Sequence, residues 1–273
     1  MPANQSQREQ WNADAQVRNW PKRERVTTAI TAPLLELLAP QPGERLLEVG
    51  SGGGLAAIEA ARAVGPAGAV TGFDLSAGLC ALATQRAAGA SLANLRFVAG
   101  DAQVDTIPGA PFDAAMSQFG VMFFEDPVAA FTNIRRHLRP GGRIAFAAWQ
   151  PPAKNAWFPG AVFARYAPPP PPPPPDAAGP PPGPFAFGDP AYVRGILTAA
   201  GFDDVRHDEI EREVAVPEDS LYTRDMLDGL RLDPARAEQA WADVQALVAT
   251  LRAADGTLRL RLAPHLFAAR TQA

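Results

Sequence analysis

Three acids and a ladder of glycines are the residues of this chain best placed to do chemistry. In Glu48-Val49-Gly50-Ser51-Gly52-Gly53-Gly54 an acid stands two residues ahead of glycines spaced Gly50-x-Gly52-x-Gly54. Glycine suits a sharp turn where a ligand approaches the backbone and a Cβ would collide. The dinucleotide fingerprint Gly-x-Gly-x-x-Gly/Ala needs a small residue at position 55, and this chain has Leu55 there. Asp74 follows Gly50 by 24 positions, about the length of a strand-helix-strand return to the same sheet edge. Its carboxylate can accept both hydroxyls of a ribose; the competing role is to cap the next helix. Leu79, one turn into that helix, is placed to pack on an adenine. Gly100-Asp101-Ala102 adds an acid to accept the exocyclic amine and an amide to donate to the ring. The chemistry on offer is recognition of a nucleoside-bearing ligand.

Those residues need a sheet to hold them. Leu46-Leu47 enters the glycine turn as a buried strand, and Leu55 to Ala61 continues as a helix. Ala69–Ser76, Leu95–Ala102, Pro111–Gly120 and Arg143–Trp149 read as further strands, with Asp74 and Asp101 standing where the first two end. Asp126-Pro127 is a cap followed by a first-turn proline, and Arg139-Pro140-Gly141-Gly142 stops the helix between them. Ligand crevices in such sheets open at the carboxyl ends of the strands. Ser117 and Gln118, at the fourth strand's end, are therefore added to the candidates.

In order and spacing, residues 44–150 resemble the class I S-adenosylmethionine (SAM) dependent methyltransferases. They are most similar to the small-molecule group that includes the ubiquinone/menaquinone C-methyltransferases. The carriers are Glu48 to Gly54, Asp74, Gly100-Asp101-Ala102, Phe112-Asp113 and Leu138-Arg139-Pro140-Gly141-Gly142; Trp11-Asn12 and Trp20 resemble the lead-in of the same group. The resemblance implies an α/β Rossmann-like fold: a seven-stranded, mostly parallel sheet flanked by helices, with a helical insertion or lid. It implies SAM as cofactor and S-adenosylhomocysteine (SAH) as product. Glu48, Gly50, Ser51, Gly52 and Gly54 would surround the methionine part, joined by Ser117 and Gln118. Asp74 and Leu75 would meet the ribose, and Leu79, Asp101 and Ala102 the adenine.

The activity implied is in-line transfer of a methyl group to an oxygen, carbon or nitrogen of a small organic acceptor. Ser117-Gln118-Phe119-Gly120 stands where amide and nucleic-base N-methyltransferases carry Asn/Asp-Pro-Pro-Tyr, which argues against nucleic-acid or protein-glutamine substrates. Trp20, Phe119, Met122, Trp149 and Phe158 are the acceptor-pocket candidates, with Phe123 and Trp157 beside them. No metal site is predicted and no catalytic residue is assigned. His137 is expected at the surface, and His207 and His265 are expected to be structural. Two other classes stay open: a methyltransferase-like protein that binds SAM without methylating, such as a cyclase, and a nicotinamide oxidoreductase, which Leu55 and Gly100-Asp101-Ala102 disfavour.

Composition bounds the rest. The chain has 273 residues, 47% hydrophobic and 20% charged, with net charge −4, as expected of a globular protein. No basic run points to nucleic acid, no apolar run is long enough for a membrane span, and Met1 to Gln10 lacks a signal-peptide core. One cysteine, Cys80, excludes an internal disulfide and reads as core packing. The expected setting is cytoplasmic, with a homodimer left open. The organisation expected is a helical lead-in over 1–43, a SAM-binding core over 44–150, and sheet completion over 151–273. The last part carries a proline-rich loop (167–184) and a helical cap (about 217–254). Pro168–Pro175 must be extended, spanning roughly 25 Å at 3.1 Å per residue. It reads as a stiff surface loop, a strap over the pocket, or a partner's ligand.

Overall fold

The computed structural model describes residues 3–167 and 179–272. The central sheet is built from β1 (Arg45–Val49), β2 (Ala69–Asp74), β3 (Leu95–Ala99), β4 (Phe112–Gln118), β5 (Leu138–Trp149), β6 (Phe202–Glu209) and β9 (Pro264–Thr271). Its order is β3-β2-β1-β4-β5-β9-β6, parallel except for β9, which runs antiparallel between β5 and β6. The fold is the seven-stranded, mostly parallel Rossmann-like arrangement expected. Strands β1 and β4, and β5 from Ile144 onward, are buried along nearly their whole length. A parallel sheet covered on both faces requires this, and it explains why they read as continuous apolar runs.

Helices α4 (Leu55–Val64), α5 (Ala77–Gly89), α6 (Pro127–Arg136) and α8 (Pro190–Ala199) flank the sheet. α6 and α8 start on Asp-Pro pairs: Asp126 accepts from the Ala129 amide, and Asp189 from the Ala191 amide. Each such cap is worth about 1 kcal/mol. A cluster of Phe131, Phe146, Phe187 and Phe202, with ring centroids 5.3–6.4 Å apart in its close pairs, joins α6 and the turn before α8 to the sheet. α1 (Gln5–Asn12), α2 (Asp14–Thr27) and α3 (Thr31–Leu38) precede the sheet, with Leu34 and Leu38 of α3 fully buried.

Between β6 and β9 lie β7 (Arg212–Val216), two 3-10 turns, α9 (Pro234–Leu251) and β8 (Leu258–Leu262). β7 and β8 pair as a separate two-stranded sheet. β6 and β7 are divided at Ile210-Glu211, and β8 and β9 at Ala263. A short helix α7 (Gly160–Phe163) follows β5. Pro168–Pro175, and with them the choice between strap and loop, lie outside the described residues.

His137 corrects one expectation. It is half-buried at the end of α6, where its Nδ1 donates to the Asn133 carbonyl (2.8 Å) and its Nε2 accepts from the Ile107 amide (3.0 Å). The ring thereby ties the helix end to the loop before β4. Cys80 is buried in α5, and burial pushes its thiol up to about 12.

Candidate active site

The carboxyl ends of β1, β2 and β4 open into a cleft of about 1040 Å³, counting its mouth. The cleft sits where ligands bind in sheets of this kind, outside the carboxyl ends of the strands. The turn after β1 forms its floor. Gly50 has φ +68°, and a Cβ there would lie 2.8 Å from the Gly120 Cα. Only glycine permits that approach of two loops in that conformation.

Four acids line the cleft, Glu24, Glu48, Asp74 and Asp101, and no lysine or arginine does so among the described residues. Glu48 is buried, and its Oε2 has no partner. Burial first and Asp74 second push its carboxyl well above the usual carboxylate range. Asp74 is also buried, which raises its pKa against the lowering effect of two amide bonds. Its Oδ2 accepts from Gly52 N (2.7 Å) and its Oδ1 from Ser76 N (2.8 Å). Asp74 therefore does not cap α5; Ser76 does, through Leu79 N. Asp74 instead holds the glycine turn shut against β2.

Five buried side-chain polar atoms lack a partner among the described residues, and three of them, Glu48 Oε2, Ser51 Oγ and Trp20 Nε1, belong to residues of this cleft. Unpaired buried polar groups cost about 1–3 kcal/mol each. An acceptor, a hydroxyl and a donor left open together suit a ligand carrying both a cation and an anion. The amino-acid end of SAM has that character; Asp74 and Asp101 stand at the neighbouring strand ends.

The cleft gathers most of the predicted residues: Glu48, Gly50, Ser51, Asp74, Leu75, Leu79, Asp101, Ala102, Gln118, Trp20 and Phe119. It leaves out others. Gly52 lies beneath Trp20, where a Cβ would come within 2.5 Å of the ring, and serves through its amide to Asp74. Gly54 faces Phe97 and Ala83 behind the turn and starts α4 at φ +82°. Ser117 is fully buried and accepts from Gly120 N (3.2 Å). Gln118 lines the cleft, but its amide is held by Thr27 and Thr31 of the N-terminal segment.

The acceptor candidates divide similarly. Trp149 stacks against Phe119 at 3.9 Å and supports that ring instead of meeting the cleft. Met122 is buried in the core, and Phe158 packs edge-on against Phe185 and Trp157. What the sequence did not offer is the roof. Trp11 meets Trp20 (5.9 Å) and Phe123 (5.1 Å) edge-on, so α1 and α2 cover the cleft with aromatic rings. Asn4 closes the far end: its Nδ2 donates to both Asp101 oxygens (2.9 and 3.0 Å), and its backbone and side chain clasp Glu125. Glu24 pairs with Arg86, which also donates to the Gly53 carbonyl. The sequence offered Trp11 and Trp20 as a lead-in, and Trp20 as an acceptor-pocket residue, without placing them over the cleft.

Sheet order, glycine turn and strand-end acids together define a class I methyltransferase fold with a SAM-type site. Residues 46–142 match the model of a methyltransferase domain. The chain is 33% identical over 186 residues to nocamycin O-methyltransferase of Saccharothrix syringae, covering 65% of this chain and 66% of that protein. It is 30% identical over 190 residues to the demethylmenaquinone methyltransferase of Thermus thermophilus, covering 66% and 84%. Among solved structures, phosphoethanolamine N-methyltransferase 2 of Haemonchus contortus in complex with SAM is similar at a TM-score of 0.63. That match has 17% identity over 97% of this chain and 60% of the other. The chain belongs to the class I SAM-dependent methyltransferases, in the group that includes the ubiquinone/menaquinone C-methyltransferases. It spans about half to two thirds of the length of the first curated relatives it matches. No helix among the described residues is long and apolar enough to cross a membrane.

Proposed function

We propose that this chain is an enzyme that moves the methyl group of SAM to an oxygen, carbon or nitrogen of a small, largely apolar acceptor, leaving SAH. The observation that carries this reading is the set of unpaired polar atoms, Glu48 Oε2, Ser51 Oγ and Trp20 Nε1, in one acid-lined cleft under an aromatic roof. When bound, SAM supplies a methyl already activated by its cationic sulfur. The chain's part is then binding, alignment and exclusion of water. Glu48 would hold the ammonium, Trp20 Nε1 and Ser51 the carboxylate, Asp74 and Leu75 the ribose, and Leu79, Asp101 and Ala102 the adenine. Trp11, Trp20, Phe119 and Phe123 would present flat apolar faces to the acceptor. The named acceptors of the relatives, nocamycin and demethylmenaquinone, belong to those proteins; a small molecule of comparable apolar character is the reading here.

No histidine lines the cleft among the described residues, so an acceptor that ionises readily, a phenol or an enol, fits best. A cytoplasmic setting and acceptors other than nucleic acid belong to this proposal, and the homodimer is left open. The test is incubation with methyl-labelled SAM and a panel of phenols, enols, quinols and amines. Label in an acceptor together with SAH release supports transfer. SAH binding without transfer to any acceptor class would favour a non-methylating role.

A further inference from the structure

The edge of the sheet farthest from β3 carries a second cluster that shares no residue with the cleft. Strand β6 contributes His207 and Glu209, and β9 contributes His265. Their register sets Glu209 opposite His265 and His207 opposite Phe267, so the three side chains share one face. One ligand atom from each lies within 4.8 Å of the other two. His207 Nε2 is 2.8 Å from His265 Nδ1, and Glu209 Oε1 is 3.9 Å from the same nitrogen.

We propose that His207, Glu209 and His265 form a binding site for one divalent transition-metal ion of the imidazole-preferring class, zinc foremost. Two imidazoles and a carboxylate are a donor set such ions favour over magnesium or calcium. The orientation of His265 supports the assignment. Its Nε2 is 3.1 Å from the Gly188 carbonyl, which can only accept, so Nε2 carries the hydrogen. Its Nδ1 lone pair is thereby aimed at His207 and Glu209. Metal-bound histidines are usually fixed this way, through a carbonyl or carboxylate on the other ring nitrogen. The His207 ring is held by stacking on Phe267 at 4.8 Å.

The adjustment needed is small. In the metal-free form His207 Nε2–H donates to His265 Nδ1, and a proton occupies the ion's place. Tetrahedral zinc with Zn–N bonds near 2.0–2.1 Å needs ligand atoms about 3.3 Å apart. The nitrogens must open by about half an ångström, and the Glu209 oxygen must close by about half an ångström on His265 and by up to about 1.5 Å on His207. Glu209 is 56% exposed and free to swing. His207 is half-buried, and binding through Nε2 leaves its ring hydrogen on Nδ1. Water completes the fourth position. The ion would pin the edge strand β6 to β9 and, through Gly188, to the start of α8.

The full-length chain, freed of any purification tag and of metal, is titrated with zinc chloride against a chromophoric chelator, and its melting is followed in parallel. One equivalent should bind and raise the melting temperature, and His207→Gln and Glu209→Gln should each weaken binding at least about tenfold. Both substitutions change side chains that are at least partly exposed, so the metal-free melting temperatures should stay close to wild type. Cobalt substitution should give a tetrahedral visible spectrum that H207Q abolishes. Absence of stoichiometric binding to the wild type, or equal affinity in H207Q, would overturn the assignment.

Discussion

Glu48→Gln should improve the empty protein and damage ligand binding. Glu48 is buried, one of its oxygens has no partner, and the buried Asp74 stands near it. Its folded-state pKa is therefore raised, so the native state holds a proton that the unfolded chain gives up above about 4.5. The sign follows: stability contributed by this group is present below that pH and lost as pH rises toward the folded pKa. The loss runs at about 1.4 kcal/mol per pH unit. Asp74 is shifted in the same direction and adds to the slope. Gln copies the protonated shape without the ionisable group. Urea unfolding across pH 4 to 8 should show the two proteins converging at the acid end. The variant should become the more stable one as pH rises. SAH affinity should move the other way: loss of a charge-assisted bond to an ammonium is worth about 1.5–3 kcal/mol, or roughly ten- to a hundredfold. Parallel stability curves, or SAH affinity within twofold of wild type, would refute the reasoning, because either would mean that Glu48 is not an uncompensated acid facing the ligand's cation.

Calorimetry of SAH binding near neutral pH in buffers of different ionisation enthalpy should reveal proton release, since a cation beside Glu48 lowers its pKa; uptake or no net transfer would count against that placement. Trp20→Phe keeps a ring over Gly52 and Gly53 but removes the Nε1 donor, and should weaken SAH binding by about 0.5–1.5 kcal/mol with little change in unfolding. Gly50→Ala meets the Gly120 backbone at 2.8 Å with φ +68°; a cost of about 2–4 kcal/mol in stability is expected from the left-handed conformation and overpacking together, read as a lower urea midpoint. Asn4→Ala should release the N-terminal clasp on Asp101 and Glu125, shown by faster proteolysis of the first helix while the melting of the sheet stays unchanged.

How far the sequence could be read depended on which residues report their own direction. Glu48, Asp74 and Asp101 end consecutive parallel strands, and strand ends on one side of such a sheet converge, so spacing alone assembled the acid side of the cleft. The glycines carried less information than their regularity suggested. Gly50 is required by a close approach, Gly52 by an overlying tryptophan, and Gly54 by the start of a helix against Phe97. One motif thus serves three packing needs, and only part of it borders the cleft. The acceptor side was harder, because an aromatic residue near a strand tip looks the same in sequence whether it faces the cleft or supports one that does. Phe119 and Trp149 are such a pair, stacked with Phe119 on the cleft side.

The roof was least legible because its contacts join distant parts of the chain. Asn4 reaches Asp101 across 97 positions, and Gln118 reaches Thr27 across 91. No local pattern encodes such pairings. They have a consequence for binding. The same segment that supplies Trp11 and Trp20 to the ligand is anchored at Asp101, Glu125 and Gln118, all on loops or strand ends of the sheet. A nucleoside entering beside Asp101 must share that carboxylate with Asn4. A carboxylate offers about four acceptor sites, and Asp101 already receives Asn4 Nδ2 and the Gln103 amide. Ligand and roof therefore draw on one acid. Any weakening of Asn4's hold as the adenine site fills would loosen the roof at that end, whereas simultaneous bonding would tighten it. Hydrogen exchange in α1 (Gln5–Asn12) with and without SAH distinguishes the two. Protection on binding is expected, because the carboxylate has capacity for both; increased exchange would mean that the ligand displaces Asn4.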